Sequence, residues 1–166
     1  MIRLNAEIKN FISYKIATDT RWQGIDVVFS GVDVPGEGEH NIMRYIRENK
    51  GQPNVRHCIY SNDADLVMLA LISHEPYLVL IREEAHYGRQ GRPLRKIYPS
   101  KPSFDIFFLN ILREYLQAEF SQVPDFERFI HDFVLLCFFV GNDFLPNAPT
   151  VEIGSNSLEW IFEVYR

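Results

Sequence analysis

Only two cysteines, Cys58 and Cys137, occur in 166 residues, and both stand among apolar neighbours (His57-Cys58-Ile59-Tyr60 and Leu136-Cys137-Phe138). That scarcity argues against a disulfide scaffold, and two buried reduced thiols are expected. No Asn-x-Ser/Thr acceptor is present, and the opening Met1-Ile2-Arg3-Leu4 lacks the apolar core of a signal peptide. The longest apolar run, Phe133 to Val140, falls far short of the ~20 residues that a membrane span needs. An intracellular protein with no membrane partner is therefore expected. Positive charge is also short: 17 Lys and Arg face 22 Asp and Glu, a net charge of −5. Such a balance excludes gripping nucleic acid by bulk positive charge, so any bound anion must be met locally. There is no Gly-x4-Gly-Lys-Ser/Thr loop for nucleotide phosphates. His40, His57, His74, His86 and His131 show no ligand spacing, so a histidine metal site is not expected.

What is present reads as a soluble globular chain, with 46% hydrophobic and 23% charged residues. A single domain spanning 1–166 is expected, large enough to bury roughly 70% of its unfolded surface without staples. Leu4, Ile8, Phe11, Ile12 and Ile16 recur at helical spacing over 3–17. Ile25 to Phe29 reads as a buried strand, and residues 39–48 as a second helix stopped by Gly51 and Pro53. Val55 to Tyr60 and Tyr77 to Arg82 read as strands flanking a short helix over Leu66 to Ile72. Strand, helix, strand alternation predicts an α/β fold with a parallel sheet. Residues 85–102 carry Arg89, Arg92, Arg95, Lys96 and Lys101 among glycines and prolines, the composition of a mobile basic loop. Such a run is either a solvated loop or a contact for nucleic-acid phosphates. Phe104 to Phe120 and Asp125 to Val140 are expected as two long helices, with Pro124 just inside the start of the second. A last helix covers Ser157 to Tyr165.

Three acidic clusters carry the chemistry: Glu37-Gly38-Glu39, Asp63-Ala64-Asp65 and Asp143. Acids at i and i+2 stand about 200° apart on a helix and cannot share its face, yet they can converge on a turn that leads into one. Both pairs sit at such positions, beyond the carboxyl ends of the strands read above, where ligands of parallel sheets bind. Carboxylates crowded within a few ångströms repel one another, so such a cluster is tolerated mainly around a hard cation. Magnesium or manganese suits it, and two ions ~4 Å apart would clamp the attacking and leaving oxygens of a phosphodiester. Taken singly, each acid has a plainer reading. Glu39 serves as a first-turn helix acid, Asp65 as a helix cap, and Asp143 as part of a helix stop.

These clusters with their surroundings resemble the XRN family of 5′→3′ exoribonucleases, relatives of flap endonucleases and PIN-like nucleases. The stretches that carry the likeness are Phe29-Ser30-Gly31, Val34 to His40, Asp63-Ala64-Asp65-Leu66, Ser73-His74-Glu75-Pro76 and Arg82-Glu83-Glu84, then Leu112 to Tyr115 and Phe139 to Pro146. The resemblance implies a partial PIN/flap-endonuclease-like nuclease core with flanking helices. Its activity would be magnesium- or manganese-dependent two-metal hydrolysis of single-stranded RNA bearing a 5′-monophosphate. Glu37, Glu39, Asp63, Asp65 and Asp143 fall on the family's metal-site acids. Asn41 and Asn147 depart from the family, which places a basic residue and a histidine there. The family's earlier N-terminal segment supplies two further acids, the basic pocket for the 5′-phosphate and a base-stacking residue. Its absence implies an internal fragment that is inactive alone and whose partner is that segment; decay-factor proteins are further partners of such enzymes.

A Cys-rich zinc knuckle, a mark of the nuclear branch, has no counterpart in Ala85-His86-Tyr87-Gly88-Arg89, so the cytoplasmic branch is favoured. Two other readings stand beside the nuclease. One is a degenerate nuclease-like module that binds RNA or protein without cutting. The other is a haloacid-dehalogenase-type phosphatase with Asp63 as nucleophile in Asp63-Ala64-Asp65-Leu66-Val67, although Ser61-Asn62 spoils its apolar strand and Glu37-Gly38-Glu39 stays unexplained.

Overall fold

In a computed structural model, residues 1–166 are described apart from 51, 53, 85–102, 152, 153 and 155. The expected basic loop at 85–102 lies outside the described residues. The chain divides into two compact units, Met1–Tyr45 and Ile46–Arg166.

The first unit opens with α1, Ile2–Thr18, where the predicted 3.6-residue apolar spacing is found. Asp19 ends it and starts a 3-10 turn at Thr20–Trp22, accepting from the Arg21 N–H at 3.1 Å. Its carboxylate is also held by Lys15 at 3.1 Å and by the Arg21 guanidinium at 2.8 Å, which keeps its pKa far below the ordinary value. Trp22 meets Phe11 edge to face at 6.2 Å. Residues 25–29 are not the expected strand: they join no ladder, and Ile25, Val27 and Val28 are exposed. Apolar β-branched residues favour extended backbone, but a strand exists only where a neighbour takes its hydrogen bonds. Beyond this segment the Val32 N–H donates to Asn5 Oδ1 at 3.2 Å, tying it to α1. The next helix, α2, covers Gly38–Glu48.

The second unit is built on β1 (His57–Tyr60), α3 (Asp65–Leu71), β2 (Leu78–Glu83) and β3 (Phe104–Phe108), followed by α4 (Leu109–Glu119), α5 (Phe126–Cys137) and α6 (Ser157–Tyr165). The sheet order is β1-β2-β3. β1 runs parallel to β2, pairing His57 with Leu78 and Tyr60 with Ile81. β3 runs antiparallel to β2, pairing Val79 with Phe108 and Glu83 with Phe104. The sheet is therefore mixed rather than parallel, and the long helix expected from Phe104 begins only at Leu109. Phe104, Ile106, Phe107 and Phe108 satisfy helical spacing and aromatic β preference alike; pairing with β2 decides for the strand.

Ile59 of β1 is buried while its neighbours Cys58 and Tyr60 face outward, as the two-residue period requires. Cys58 is thus an exposed free thiol and not a buried one; Cys137 is free and half-buried. Burial pushes the Cys137 thiol up to about 11. Leu78 and Leu80 of β2 join Leu66, Ala70, Leu71, Leu109, Leu116, Phe120, Phe129, Ile130 and Val134 in the core. Phe129 is its centre, with the rings of Phe120, Phe126, Phe133 and Tyr165 at 4.4 to 5.9 Å. Asp125 caps α5 by accepting from the Arg128 N–H at 3.0 Å, so Pro124 stands just outside the helix rather than inside it. Glu127 of α5 is held by both Arg113 and His74, and His74 Nε2 lies 2.8 Å from His131 Nε2. No described helix is long and apolar enough to cross a membrane.

Candidate metal centre

In the first unit, Gly36 takes φ = +90°, a left-handed conformation open to glycine, and turns the chain into α2. The Glu37 carbonyl accepts from the Asn41 N–H at 3.1 Å, so Glu37 sits at the helix threshold while Glu39 lies in the first turn. Because Glu37 stands outside the regular helix, the i, i+2 separation does not keep the two carboxylates apart. One ligand atom from each of Glu37, Glu39 and His40 lies within 4.8 Å of the others. His40 Nδ1 is 3.5 Å from Glu37 Oε2. Glu37 and His40 are exposed and Glu39 is half-buried, so the group opens to solvent. Sequence spacing passed over His40, although its i, i+3 relation to Glu37 is the signal that finds it.

In the second unit, Asp63 and Asp65 follow β1 on the turn into α3. The Asp63 N–H donates to Ser61 Oγ at 3.1 Å, and the Asp65 N–H donates to Asp63 Oδ1 at 3.2 Å. Asp143 lies past α5, on a turn that begins at Gly141 with φ = +86°. Asn142 Oδ1 accepts from the N–H groups of Phe144 (3.0 Å) and Leu145 (2.8 Å), and the Asn142 N–H donates to Leu145 O at 2.9 Å. These bonds fold the turn around Asp143. A cavity of about 300 Å³ is lined by Ala64 and Asp65 from one turn and by Gly141 and Asn142 from the other. Met68, Leu69, Cys137, Phe138, Val140 and Leu158 form its apolar wall.

The structure thus brings Glu37 and Glu39 together with His40, sets Asp63 and Asp65 on one hydrogen-bonded turn, and places Asp143 on the turn that shares a cavity with Asp65. Among the described residues, Glu37, Glu39 and His40 alone reach metal-ligand spacing as a group of three. Carboxylate oxygens are hard donors, which suit Mg²⁺ and Mn²⁺, and one imidazole is compatible with Mn²⁺.

Comparison with known proteins identifies the family. The XRN 5′-3′ exonuclease N-terminus matches residues 1–84, and the Xrn1 helical domain matches residues 123–166. The 5′-3′ exoribonuclease 1 of Schizosaccharomyces pombe is 45% identical across all of this chain, which covers 13% of that protein. The 5′-3′ exoribonuclease 1 of Homo sapiens is 42% identical across 99% of the chain, which covers 10% of it. The 5′-3′ exoribonuclease 2 of Saccharomyces cerevisiae is 38% identical across the whole chain, which covers 19% of it. The chain therefore spans between a tenth and a fifth of the length of these relatives. The stretches that hold Glu37, Glu39, Asp63, Asp65 and Asp143 all fall inside the two matched regions, and the chain belongs to the XRN 5′-3′ exonuclease family.

Proposed function

We propose that these residues form part of the catalytic centre of a 5′→3′ exoribonuclease that removes nucleotides from single-stranded RNA bearing a 5′-monophosphate. The observation that carries this reading is the convergence of Glu37, Glu39 and His40 at ligand spacing in a member of the XRN family. Glu37, Glu39, Asp63, Asp65 and Asp143 are the acids assigned to divalent-cation binding; Asp63, Asp65 and Asp143 serve mostly one position, and Glu37 and Glu39 the other. A bound Mg²⁺ or Mn²⁺ pair supplies Lewis acidity for hydrolysis of a phosphodiester. The residues of the chain contribute fixed negative charge that selects divalent cations, and two turns whose hydrogen bonds hold the acids in place. A PIN/flap-endonuclease-like core is part of the same proposal, supported by the parallel β1/β2 pair with Asp63 beyond its carboxyl end.

The proposed partners are RNA, the family's preceding N-terminal segment as the source of the 5′-phosphate pocket, and decay-factor proteins. The relatives named exoribonuclease 1 align at 39 to 45% identity, above the 38% of the Saccharomyces cerevisiae exoribonuclease 2. That order supports the first branch and, with it, a cytoplasmic enzyme.

The test is digestion of one RNA prepared with a 5′-monophosphate, a 5′-triphosphate or a 5′-hydroxyl by the full-length protein with Mg²⁺. Selective loss of the monophosphate RNA, abolished by Asp65→Ala, is the expected result. No digestion of any end by a folded protein would overturn the enzyme in favour of a module that binds without cutting.

A further inference from the structure

The turn that carries Asp63 and Asp65 is not fixed by burial, because Asn62, Asp63 and Ala64 are all exposed. Three successive residues at the end of β2 hold it instead. The Ser61 N–H donates to Ile81 O at 3.1 Å, which carries the parallel ladder one residue past β1. The Arg82 guanidinium donates through Nη2 to Asn62 O at 2.8 Å, and the Glu83 N–H donates to Asn62 Oδ1 at 2.9 Å. Both carbonyl oxygens of Asn62, main-chain and side-chain, are therefore taken by β2. Glu83 also accepts from the Tyr60 hydroxyl at 2.6 Å, which closes the grip on the strand end. From Asn62 the geometry passes directly to the acids: the Asp63 N–H is bonded to Ser61 Oγ and the Asp65 N–H to Asp63 Oδ1.

We infer that Asn62 is a positioning residue for the Asp63 and Asp65 carboxylates, and that Arg82 acts with it by holding the Asn62 carbonyl. A divalent cation with short, directional bonds tolerates little displacement of its ligands, and an exposed turn has no packing to restore them. The side chain of Asn62 does what packing does elsewhere, by making the turn an extension of the sheet. This inference rests on the proposed metal role of Asp63 and Asp65.

The test uses the full-length protein and two readouts, Mn²⁺ binding by electron paramagnetic resonance and the Mn²⁺ midpoint for digestion of 5′-monophosphate RNA. Asn62→Ala and Arg82→Met are expected to raise both midpoints about tenfold, the size usual for groups that orient metal ligands, with the KM for RNA unchanged. Arg82→Lys keeps a donor and is expected to stay within about threefold of wild type, while Asn62→Asp keeps the acceptor and adds a charge that favours the ion, so its midpoint is expected at or below that of wild type. Loss of the Arg82 cation would by itself favour a bound divalent ion, so a weaker midpoint in Arg82→Met reports geometry rather than charge. If Asn62→Ala fails to fold, the Arg82 pair decides alone. A lowered melting temperature with wild-type Mn²⁺ midpoints in the Asn62→Ala and Arg82→Met variants overturns the inference, as does equal damage in the conservative variants. Asp65→Asn separates the two levels. If it leaves Mn²⁺ binding intact, the metal-site reading falls and the positioning role with it; if it abolishes binding while Asn62→Ala preserves it, the positioning role falls alone.

Discussion

Replacing Gly141 by alanine should damage the protein more than its size suggests. Gly141 has φ = +86° and ψ = 163°, a region of backbone space that side chains with a Cβ essentially do not occupy. A Cβ built there would stand 2.6 Å from the Asn147 N, 3.0 Å from its Cα and 3.1 Å from Leu145 O. All of these are backbone atoms, of Leu145 in the turn that Asn142 ties together and of Asn147 just beyond it, so none can swing aside as a side-chain tip would. Conformational strain of this kind costs about 1–3 kcal/mol, and displacement of the turn adds to it, giving about 2–4 kcal/mol in all. Urea unfolding of wild type and Gly141→Ala at one temperature measures it. Gly38→Ala is the comparison: nothing lies within 4 Å of its Cβ position, and it sits at the start of α2. There the change should lie between neutral and about 1 kcal/mol stabilising, since alanine favours helix. A Gly141→Ala variant within about 0.5 kcal/mol of wild type would refute the strained turn and with it the present account of how Asp143 is held.

Glu37→Gln, Glu39→Gln and His40→Ala should each raise the Mn²⁺ midpoint of the full-length protein about tenfold or more; binding indifferent to all three would remove that cluster from the metal site. Phe129→Ala, at a fully buried position ringed by aromatics, should lose about 3–5 kcal/mol of unfolding free energy, read by the same urea titration. Cys58 is exposed while Cys137 is half-buried with its thiol pushed up to about 11, so iodoacetamide at pH 8 should label Cys58 and spare Cys137, as peptide mass mapping would show. That raised thiol also sets a sign. The folded state resists a deprotonation that the unfolded chain undergoes near its ordinary value of 9.0, so its stabilising contribution is intact below pH 9 and is lost as the pH climbs to about 11. Melting temperatures should fall across that window, and less steeply in Cys137→Ala.

The helices were legible wherever an apolar stripe recurred with helical period. Thus Ile2–Thr18, Phe126–Cys137 and Ser157–Tyr165 match the spacing of their own side chains. β1 and β2 were legible for a related reason, being short Leu, Val and Ile runs on either side of a helix. What local pattern cannot supply is the identity of the pairing partner. Ile25 to Phe29 and Phe104 to Phe108 are both rich in apolar and aromatic residues. One is a strand because β2 offers it an edge, and the other remains an extended segment because no described strand does.

At the candidate site the same distinction separates the acids from the groups that hold them. Charge on acids beside glycine or beyond strand ends is visible in a string of letters, so Glu37, Glu39, Asp63, Asp65 and Asp143 could be picked out before any fold was known. His40 was passed over because an i, i+3 relation to one carboxylate is common on helices; its closeness to both Glu37 and Glu39 is seen only in the fold. Arg82 and Asn142 lie in stretches that carry the family likeness, but nothing in the sequence marks them or Asn62 as supports, since neutral amides and a lone arginine are common on any surface. Their roles follow from which carbonyl or N–H they meet, and that is settled by the parallel register of β1 and β2 and by the turn after α5. A one-residue slip of the β1/β2 register would leave all five acids in the sequence yet break the bonds from β2 to Asn62, so it is the register, more than the composition of the cluster, that fixes where the turn bearing Asp63 and Asp65 stands.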